Sequence, residues 1–299
     1  MLPDSLDPAG NEPATEHYPV HNYPEPVKAY KNLEFLTSSA ARSIRIQCEL
    51  TEPALRFKKH HINNTLVFFG SARIPPKDEG QKNLAAMEEQ FASLHGDAVT
   101  DDIRAALSKA KALQRASKYY EDARQLAREL TEWSYRTIHN PKERFYICSG
   151  GGPGIMEAAN RGAREAGGLS ISLGISLPFE QHINQYSDND LSFEFHYFFV
   201  RKYWFLYLAK ALVAFPGGFG TMDELFEMLT LIQTHKTTKH VPVILYGKEF
   251  WNQVLNMEAL VDWGVISPND LNLFKICDSV EEARDMLIKD LTEHHLKKA

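Results

Sequence analysis

The sequence predicts an α/β fold built on a doubly wound parallel sheet, with a helical extension at its N-terminal side. Two glycine-rich turns, at residues 149–154 and 216–221, each follow a short apolar run and each precede a stretch with helical periodicity. Strand-like and helix-like segments also alternate from Thr65 to Leu291. Because parallel strands need crossover connections, which are usually helices, this alternation indicates a Rossmann-like sheet covered by helices on both faces.

The chain of 299 residues is expected to contain three regions. Residues 1–26 carry six prolines among polar residues, which is typical of a flexible or extended arm. Residues 27–60 are predicted to form a helical extension, with a helical pattern over about 27–57. Residues 61–299 then form the Rossmann-like domain. A segment at about 81–113, rich in Ala, Lys and Glu, is predicted to be a helical insertion in that domain.

The periodicity of apolar residues defines the elements of this domain in order. Short apolar runs bounded by Gly, Pro or polar residues predict strands at 65–69, 145–148, 170–177, 193–199, 210–215, 241–246 and 274–277. Segments with apolar residues every three or four positions predict helices at 116–139, 155–166, 203–209, 222–233, 250–263 and 280–291. Gly167 and Gly168 mark the end of the second of these helices.

The bulk composition restricts the class of protein. A hydrophobic content of 43% is sufficient to fill the core of one large or two smaller α/β domains. The net charge of −6 argues against a protein that coats nucleic acid, because neutralising phosphates needs a basic surface. Three scattered cysteines with no CxxC pair indicate reduced thiols and no zinc site. No apolar run approaches the ~18 residues that span a bilayer, and no secretory signal is visible, so we expect a cytoplasmic protein without a membrane segment.

The first glycine-rich turn, SGGGPG at residues 149–154, offers backbone without side chains to a ligand. The helix that starts near Pro153 adds the positive end of its dipole, and the combination suits an anion such as a phosphate. The alternative is a tight strand–helix turn that needs glycine only for its geometry. The spacing is not that of the G-x-G-x-x-G dinucleotide fingerprint, and no acidic residue closes a following strand, which disfavours NAD.

The second turn, PGGFGT at residues 216–221, is followed within three residues by Asp223 and Glu224. Thr221 is placed to cap the following helix or to bind a phosphate oxygen. Glu224 lies about one turn into that helix, where its carboxylate can face the strand ends, and Glu227 falls on the same face at i,i+3 spacing. In the alternative interpretation, the two acidic residues only complement the helix dipole.

Arg201 and Lys202 lie between the aromatic strand and the next helix. A guanidinium there can orient both a carboxylate and a phosphate, because it offers a planar fork of donors. A solvated basic pair is the alternative interpretation.

The remaining histidines and lysines give weaker candidates. His182 and His196 could act as a general base, but lone histidines are more often structural. The pairs His60-His61 and His294-His295 are interpreted as surface residues. Lys202 and Lys210 are candidates for a Schiff base, yet no pyridinium partner or phosphate cup can be assigned for them.

The glycine motifs resemble those of the LOG (Lonely guy) family of nucleoside 5′-monophosphate phosphoribohydrolases, many of which are labelled lysine decarboxylases. The resemblance rests on SGGGPGIMEAAN at 149–160 together with PGGFGTMDE at 216–224, a pair far more specific than either turn alone. Supporting matches are FGSAR at 69–73, LPFE at 177–180 with Asn184, and FFVRK at 198–202. The resemblance covers about residues 65–75 and 116–290 and looks closest to the longer bacterial branch.

The resemblance implies cleavage of the N-glycosidic bond of a nucleotide to free base and ribose 5-phosphate, without a metal or cofactor, by a homodimer or larger homo-oligomer. Carried onto this sequence, Arg201 and Glu224 are the catalytic pair. A carboxylate suits this chemistry because the sugar becomes oxocarbenium-like, and Arg201 is expected to keep Glu224 ionised. The residues implied to bind substrate or phosphate are Ser71, Arg73, Gly151, Gly152, Glu157, Lys202, Gly217, Gly218, Gly220 and Thr221.

AMP is the leading substrate, and a cytokinin ribotide or another ordinary nucleotide is the alternative. Compact members of the family lack counterparts of residues 1–60 and of the insertion at 81–113, and the aromatic segment 193–203 is bulky enough to alter the base pocket.

A non-catalytic nucleotide or molybdenum-cofactor carrier is a second hypothesis, but a carrier does not need both Arg201 and Glu224. A pyridoxal-phosphate lysine decarboxylase is a third, which rests only on an inherited label.

Overall fold

The computed structural model describes residues 26–94, 99–176 and 183–296. The chain divides into two compact units, Met1–Arg45 and Ile46–Ala299. The division falls after residue 45, whereas the sequence placed the start of the main domain at residue 61. The predicted arm at 1–26 lies outside the described residues except for Pro26.

The helical pattern predicted over about 27–57 is divided among four elements, of which the last continues into the second unit. They are a 3₁₀ turn at Ala29–Lys31, α1 at Leu33–Thr37, a 3₁₀ turn at Ser39–Ala41, and α2, which runs from Arg42 to Lys59. The side chain of Asn32 accepts a hydrogen bond from the Phe35 amide (3.1 Å) at the start of α1, and the Ser38 hydroxyl donates to the Phe35 carbonyl (2.6 Å) at its end. These local side-chain bonds compete with a continuous helix.

The second unit is built on a seven-stranded, all-parallel sheet with the strand order β4-β3-β2-β1-β5-β6-β7. The strands are β1 (Asn64–Phe69), β2 (Phe145–Ser149), β3 (Ser170–Ile175), β4 (Ser192–Phe195), β5 (Ala209–Ala214), β6 (Val243–Tyr246) and β7 (Lys275–Cys277). The helices are α3 (Lys77–Ser93), α4 (Asp101–Thr137), α5 (Ile155–Glu165), α6 (Phe198–Leu208), α7 (Phe219–Gln233), α8 (Lys248–Val254), α9 (Met257–Asp262) and α10 (Val280–Leu291). The predicted α/β class and the Rossmann-like parallel sheet are confirmed.

Both faces of the sheet are covered. In β1, Val67 and Phe69 belong to one buried hydrophobic cluster, and Leu66 and Phe68 belong to the other. A central parallel strand is buried on both faces, so it needs a continuous apolar run rather than an alternating one. The run Leu66–Phe69 is of that kind, and it places β1 at the centre of the sheet.

The order in which the strands are added to the sheet reverses between β1 and β5, although these two strands are parallel. From β1 the chain moves outward to β2, β3 and β4 on one side, and it then returns to place β5, β6 and β7 on the other side. The connections that leave β1 and β5 therefore diverge and open a crevice at the carboxyl ends of these two strands. Ligands bind at such switch points in open α/β sheets.

The helices predicted at 81–113 and 116–139 are present, but with a different division. The first part of this region forms α3, and residues 101–137 form one helix of 37 residues, α4. No Gly or Pro interrupts this stretch, and Thr100 caps its start by accepting a hydrogen bond from the Ile103 amide (3.4 Å). The predicted break near residue 115 is therefore wrong.

Two other element boundaries differ from the predictions. Strand β4 ends at Phe195, so the last part of the strand predicted at 193–199 belongs to α6. As a result Arg201 lies within a helix and not between elements. The helix predicted at 250–263 is divided into α8 and α9, because the Asn256 side chain accepts a hydrogen bond from the Ala259 amide (3.0 Å) and starts a new helix.

A buried amide fixes α5 against the sheet. Asn160 is fully buried, and its Nδ2 donates to Ser170 Oγ (2.7 Å) and to the Ile171 carbonyl (3.2 Å). Its Oδ1 accepts from Ser149 Oγ (2.7 Å) and from Asn184 Nδ2 (2.9 Å). This one side chain thus connects the end of β2, the start of β3 and the segment that follows β3.

We expect Asn160→Ala to lower the free energy of unfolding by roughly 2–4 kcal/mol, because each buried polar group left without a partner costs about 1–3 kcal/mol. Urea denaturation measures this change. Asn252→Ala, at an exposed position of α8, is the matched control and should change stability by less than about 0.5 kcal/mol. Equal stability of the two variants would contradict this account of Asn160.

Candidate active site

A cleft of about 560 Å³ opens at the carboxyl ends of the central strands. It is lined by the segment after β1, by the first glycine turn, by one side of α6 and by the start of α7. The predicted site residues that line it are Ser71, Arg73, Gly151, Gly152, Arg201, Gly218, Gly220, Thr221 and Glu224. Glu157, Lys202 and Gly217 are not among its lining residues. A larger and more open groove of about 660 Å³, between α3 and α4, contains none of the predicted residues.

The first glycine turn lets the Arg201 side chain into the cleft. A Cβ built on Gly150 would lie 2.7 Å from Arg201 Nη2 and 2.6 Å from the Met156 sulfur, so a larger residue there would displace one or both of these side chains. The turn is held open by the Asn184 amide, which donates to the carbonyls of Gly151 (3.0 Å) and Gly152 (3.1 Å). The glycines therefore serve close packing in addition to any contact with a ligand.

The second glycine turn presents the start of α7 to the cleft. Gly218 is the N-cap residue and supplies no side-chain hydrogen bond, so the predicted capping role of Thr221 is wrong. The first amide bonded within the helix is that of Met222, which donates to the Gly218 carbonyl (3.0 Å). The preceding amides in the first turn are the ones that a helix leaves for an anion. A Cβ built on Gly220 would meet no atom within 4 Å, so the approach to this turn is open.

Arg201 and Glu224 form a buried ion pair at the base of the cleft. Arg201 Nη1 lies 3.1 Å from Glu224 Oε1, and the two residues are 8% and 9% exposed. Arg201 Nε also donates to the Leu173 carbonyl at the end of β3 (2.7 Å), and its guanidinium lies 4.9 Å from the centre of the Phe205 ring. The predicted catalytic pair is therefore in contact, with the guanidinium held from three sides.

Burial raises the pKa of Glu224 to about 7. The loss of hydration outweighs the opposing effect of Arg201, and Asp223 and Glu227 raise the pKa further while Lys202 lowers it. Burial therefore opposes the effect that was expected of Arg201 on this carboxylate. A carboxyl with a pKa near 7 can both accept and release a proton near physiological pH.

Lys202 lies behind the Arg201–Glu224 pair and not in the cleft. Its Nζ is 2.6 Å from Asp223 Oδ2 and 2.9 Å from Glu227 Oε2, so one ammonium joins α6 to two acidic residues of α7. Its pKa is raised by these two carboxylates, against the effect of its partial burial. In this position Lys202 supports the orientation of α7 and contributes positive charge near Glu224.

The other predicted residues take different positions. The carboxylate of Glu157 accepts a hydrogen bond from the Tyr120 hydroxyl of α4 (2.7 Å), which turns it toward that helix. A side chain at position 217 would collide with Thr221, so glycine is required there for packing. The LPFE match at 177–180 and His182 lie outside the described residues.

Sequence reasoning did not single out two aromatic residues of the cleft. Phe198 at the start of α6 is 53% exposed, and Phe219 at the start of α7 is 97% exposed. Both line the cleft, where an apolar ring in water offers a stacking surface to a flat ligand. The signal in the sequence was the unusual aromatic content of 193–203 and the aromatic residue inside PGGFGT.

The raised pKa of Glu224 predicts a pH-dependent stability. Between the ordinary glutamate value of 4.5 and about 7, the native state retains a proton that the unfolded state has released. The free energy of unfolding should therefore fall as the pH rises through this window, by about 1.4 kcal/mol for each unit of pKa difference. Glu224→Gln should remove this part of the slope, which urea denaturation at about pH 5 and pH 7.5 measures. Glu258→Gln, at an exposed position of α9, should keep it, and equal slopes in both variants would contradict the prediction.

No helix among the described residues is both long enough and apolar enough to cross a membrane.

Residues 156–287 match a family model described as "Possible lysine decarboxylase", and this region includes both Arg201 and Glu224. An 88-residue segment, 29% of the chain, is 31% identical to a rice protein (Oryza sativa subsp. japonica) described as "Probable cytokinin riboside 5'-monophosphate phosphoribohydrolase LOGL3". The match spans 41% of the rice protein. The X-ray structure of TM1055, a structural-genomics target, is 20% identical and covers 76% of this chain and 99% of its own, with a TM-score of 0.41. The chain is therefore similar, over residues 156–287, to the family whose model carries the lysine decarboxylase description, and over 88 residues to the rice protein.

Proposed function

We propose that this protein hydrolyses the N-glycosidic bond of a nucleoside 5′-monophosphate, with AMP as the first candidate, to give the free base and ribose 5-phosphate. The observation that carries the proposal is the buried Arg201–Glu224 pair at the base of a cleft bordered by two glycine turns. The match to the family model and to the rice phosphoribohydrolase supports the same reaction class.

In the proposed reaction Glu224 acts on the sugar and on water. The bond between C1′ and the base nitrogen breaks, its electron pair leaves with the base, and the sugar develops positive charge. The ionised carboxylate stabilises this charge and accepts a proton from the water that attacks C1′. The departing base takes up a proton, so the overall reaction consumes one water. The pKa of about 7 allows Glu224 to be ionised before the reaction and to lose the acquired proton afterwards.

The phosphate is assigned to the start of α7. The amides of Phe219, Gly220 and Thr221 precede the first bond within that helix, and the helix dipole favours a negative charge at this end. Arg73 lies at the opposite wall of the cleft and adds a cation. The base would then lie against Phe198 and Phe219.

We also propose that the protein works as a homodimer or larger homo-oligomer. Four aromatic residues of α6, namely Phe198, Phe199, Tyr203 and Tyr207, are between 42% and 59% exposed. A cluster of large apolar side chains on one helix is typical of a surface that another chain covers.

The proposal predicts that Glu224→Gln loses turnover of AMP by roughly 10²–10⁴-fold while nucleotide binding persists, because only the proton acceptor and its charge are removed. Chromatographic separation of base and ribose 5-phosphate measures turnover, and calorimetry measures binding. Glu258→Gln is the control and should be fully active. Near-normal turnover by Glu224→Gln would overturn the assignment. If the wild-type protein binds AMP, GMP, CMP, IMP and a cytokinin ribotide but cleaves none of them, the protein is a carrier instead.

The position of Lys202 predicts a shift of the pH profile. Lys202→Met removes a positive charge that lowers the pKa of Glu224 and leaves Asp223 and Glu227 without their partner. The acidic limb of kcat/KM should therefore move to higher pH, and Lys202→Arg should restore part of the shift. Lys248→Met, at an exposed position of α8, is the control. An unshifted profile in Lys202→Met would show that Lys202 acts on stability alone.

A further inference from the structure

A second cluster of side chains, which are of the kinds that bind metal ions, lies at the opposite edge of the sheet. His240 precedes the amino end of β6, Asp290 lies near the end of α10, and His294 lies in the π-helical turn Thr292–Leu296 that follows α10. The cleft described above is at the carboxyl ends of the strands. This cluster is therefore separate from the proposed active site and takes no part in the chemistry proposed there.

The three side chains converge on one point. His240 Nε2 lies 2.8 Å from Asp290 Oδ1 and 2.9 Å from Oδ2, and His294 Nδ1 lies 3.7 Å from Oδ1. The two imidazole rings are stacked, with their centres 3.8 Å apart and their planes 17° from parallel. One ligand atom from each residue falls within 4.8 Å of the others. Separations of this size contract to a metal's coordination shell through small side-chain rotations.

The Asp290 carboxylate lies between the two imidazoles. Its Oδ1 is buried, and it shares the single ring nitrogen His240 Nε2 with Oδ2. One ring nitrogen donates at most one hydrogen, so the carboxylate keeps an acceptor position for a further donor or a cation. Imidazole nitrogens are themselves common metal ligands.

The surroundings hold the ligands without filling the site. His295 Nε2 lies 2.9 Å from the His240 carbonyl, which fixes the backbone at that residue. Lys239, which precedes His240 in the sequence, donates to the carbonyls of Leu206 and Tyr207 and is thereby turned away from Asp290. Ligation through His294 Nδ1 would replace its hydrogen bond to the Asp290 carbonyl (3.1 Å).

We propose that His240, Asp290 and His294 bind one divalent transition-metal ion of the Zn²⁺ type. Two imidazole nitrogens and one carboxylate oxygen are a donor set that Zn²⁺ accepts in tetrahedral geometry, with water as the fourth ligand. Bound metal would join the segment before β6 to the C-terminal end of α10. No local pattern in the sequence indicates this site, because its ligands are separated by up to 54 positions in the chain and the pair His294-His295 has the pattern of surface residues.

The test is a titration of untagged, chelator-treated protein with Zn²⁺, followed by calorimetry and by competition with a fluorescent zinc chelator. We expect one equivalent to bind, and we expect His240→Ala, His294→Ala and Asp290→Asn each to weaken binding at least tenfold. His139→Ala, an exposed histidine outside the cluster, should bind as the wild type does. Zn²⁺ should also raise the Tm of the wild type and of His139→Ala but not of His294→Ala, since only binding to the native state stabilises it.

Co²⁺ in place of Zn²⁺ gives an independent readout, because visible absorption bands of tetrahedral Co²⁺ should appear in the wild type and be absent in His294→Ala. His294 is exposed, so this variant is expected to fold, and circular dichroism verifies that it does. Absence of zinc binding to the wild type would overturn the proposal, as would equal affinity in all variants. Neither result depends on nucleotide cleavage, so the two proposals can fail separately.

Discussion

Removing Arg201 and Glu224 from water together is the constraint on which the arrangement of the cleft depends. Taking an ion out of water costs several kcal/mol even after relaxation, so the pair is tolerable only if its hydrogen bonds are nearly complete. Glu224 supplies one partner, the Leu173 carbonyl a second, and the Phe205 ring a face for the guanidinium. The absence of a side chain at Gly150 leaves the guanidinium in this position undisturbed. Strand β3, α6, α7 and the first glycine turn are thus positioned by one ion pair.

The same loss of hydration connects stability with chemistry. A carboxylate in water would be ionised at neutral pH and would be a weak base, whereas burial raises the pKa of Glu224 to about 7. The free energy of unfolding is therefore lower above that pH than below it. In return, the proposed reaction has a base whose pKa lies near the working pH. The charges behind the pair modulate the pKa of Glu224 further: Lys202 lowers it, and Asp223 and Glu227 raise it.

The two edges of the sheet differ in what they bring together. At the carboxyl edge, diverging connections from β1 and β5 leave room for a ligand, and glycine turns expose backbone amides to it. At the amino edge, the approach to β6 meets the end of α10, and imidazoles and a carboxylate from distant parts of the chain converge. A parallel sheet separates these two regions by its own length, so a structural metal there would leave the proposed reaction unaffected.

The sequence by itself determined the fold class, most strands and the candidate site, because these depend on local signals: apolar runs that must be buried, and glycines where a side chain cannot fit. Of its site residues, Arg201 and Glu224 meet as expected, whereas Glu157 turns to Tyr120 and Lys202 lies behind the cleft. The periodicity of apolar residues did not predict helix ends that are set by a single polar side chain. Such ends occur at Asn32, Ser38 and Asn256. Only the tertiary structure decided the protonation of Glu224 and the His240–Asp290–His294 cluster. Both depend on burial and on contacts between residues far apart in the chain, and neither leaves a pattern in the sequence.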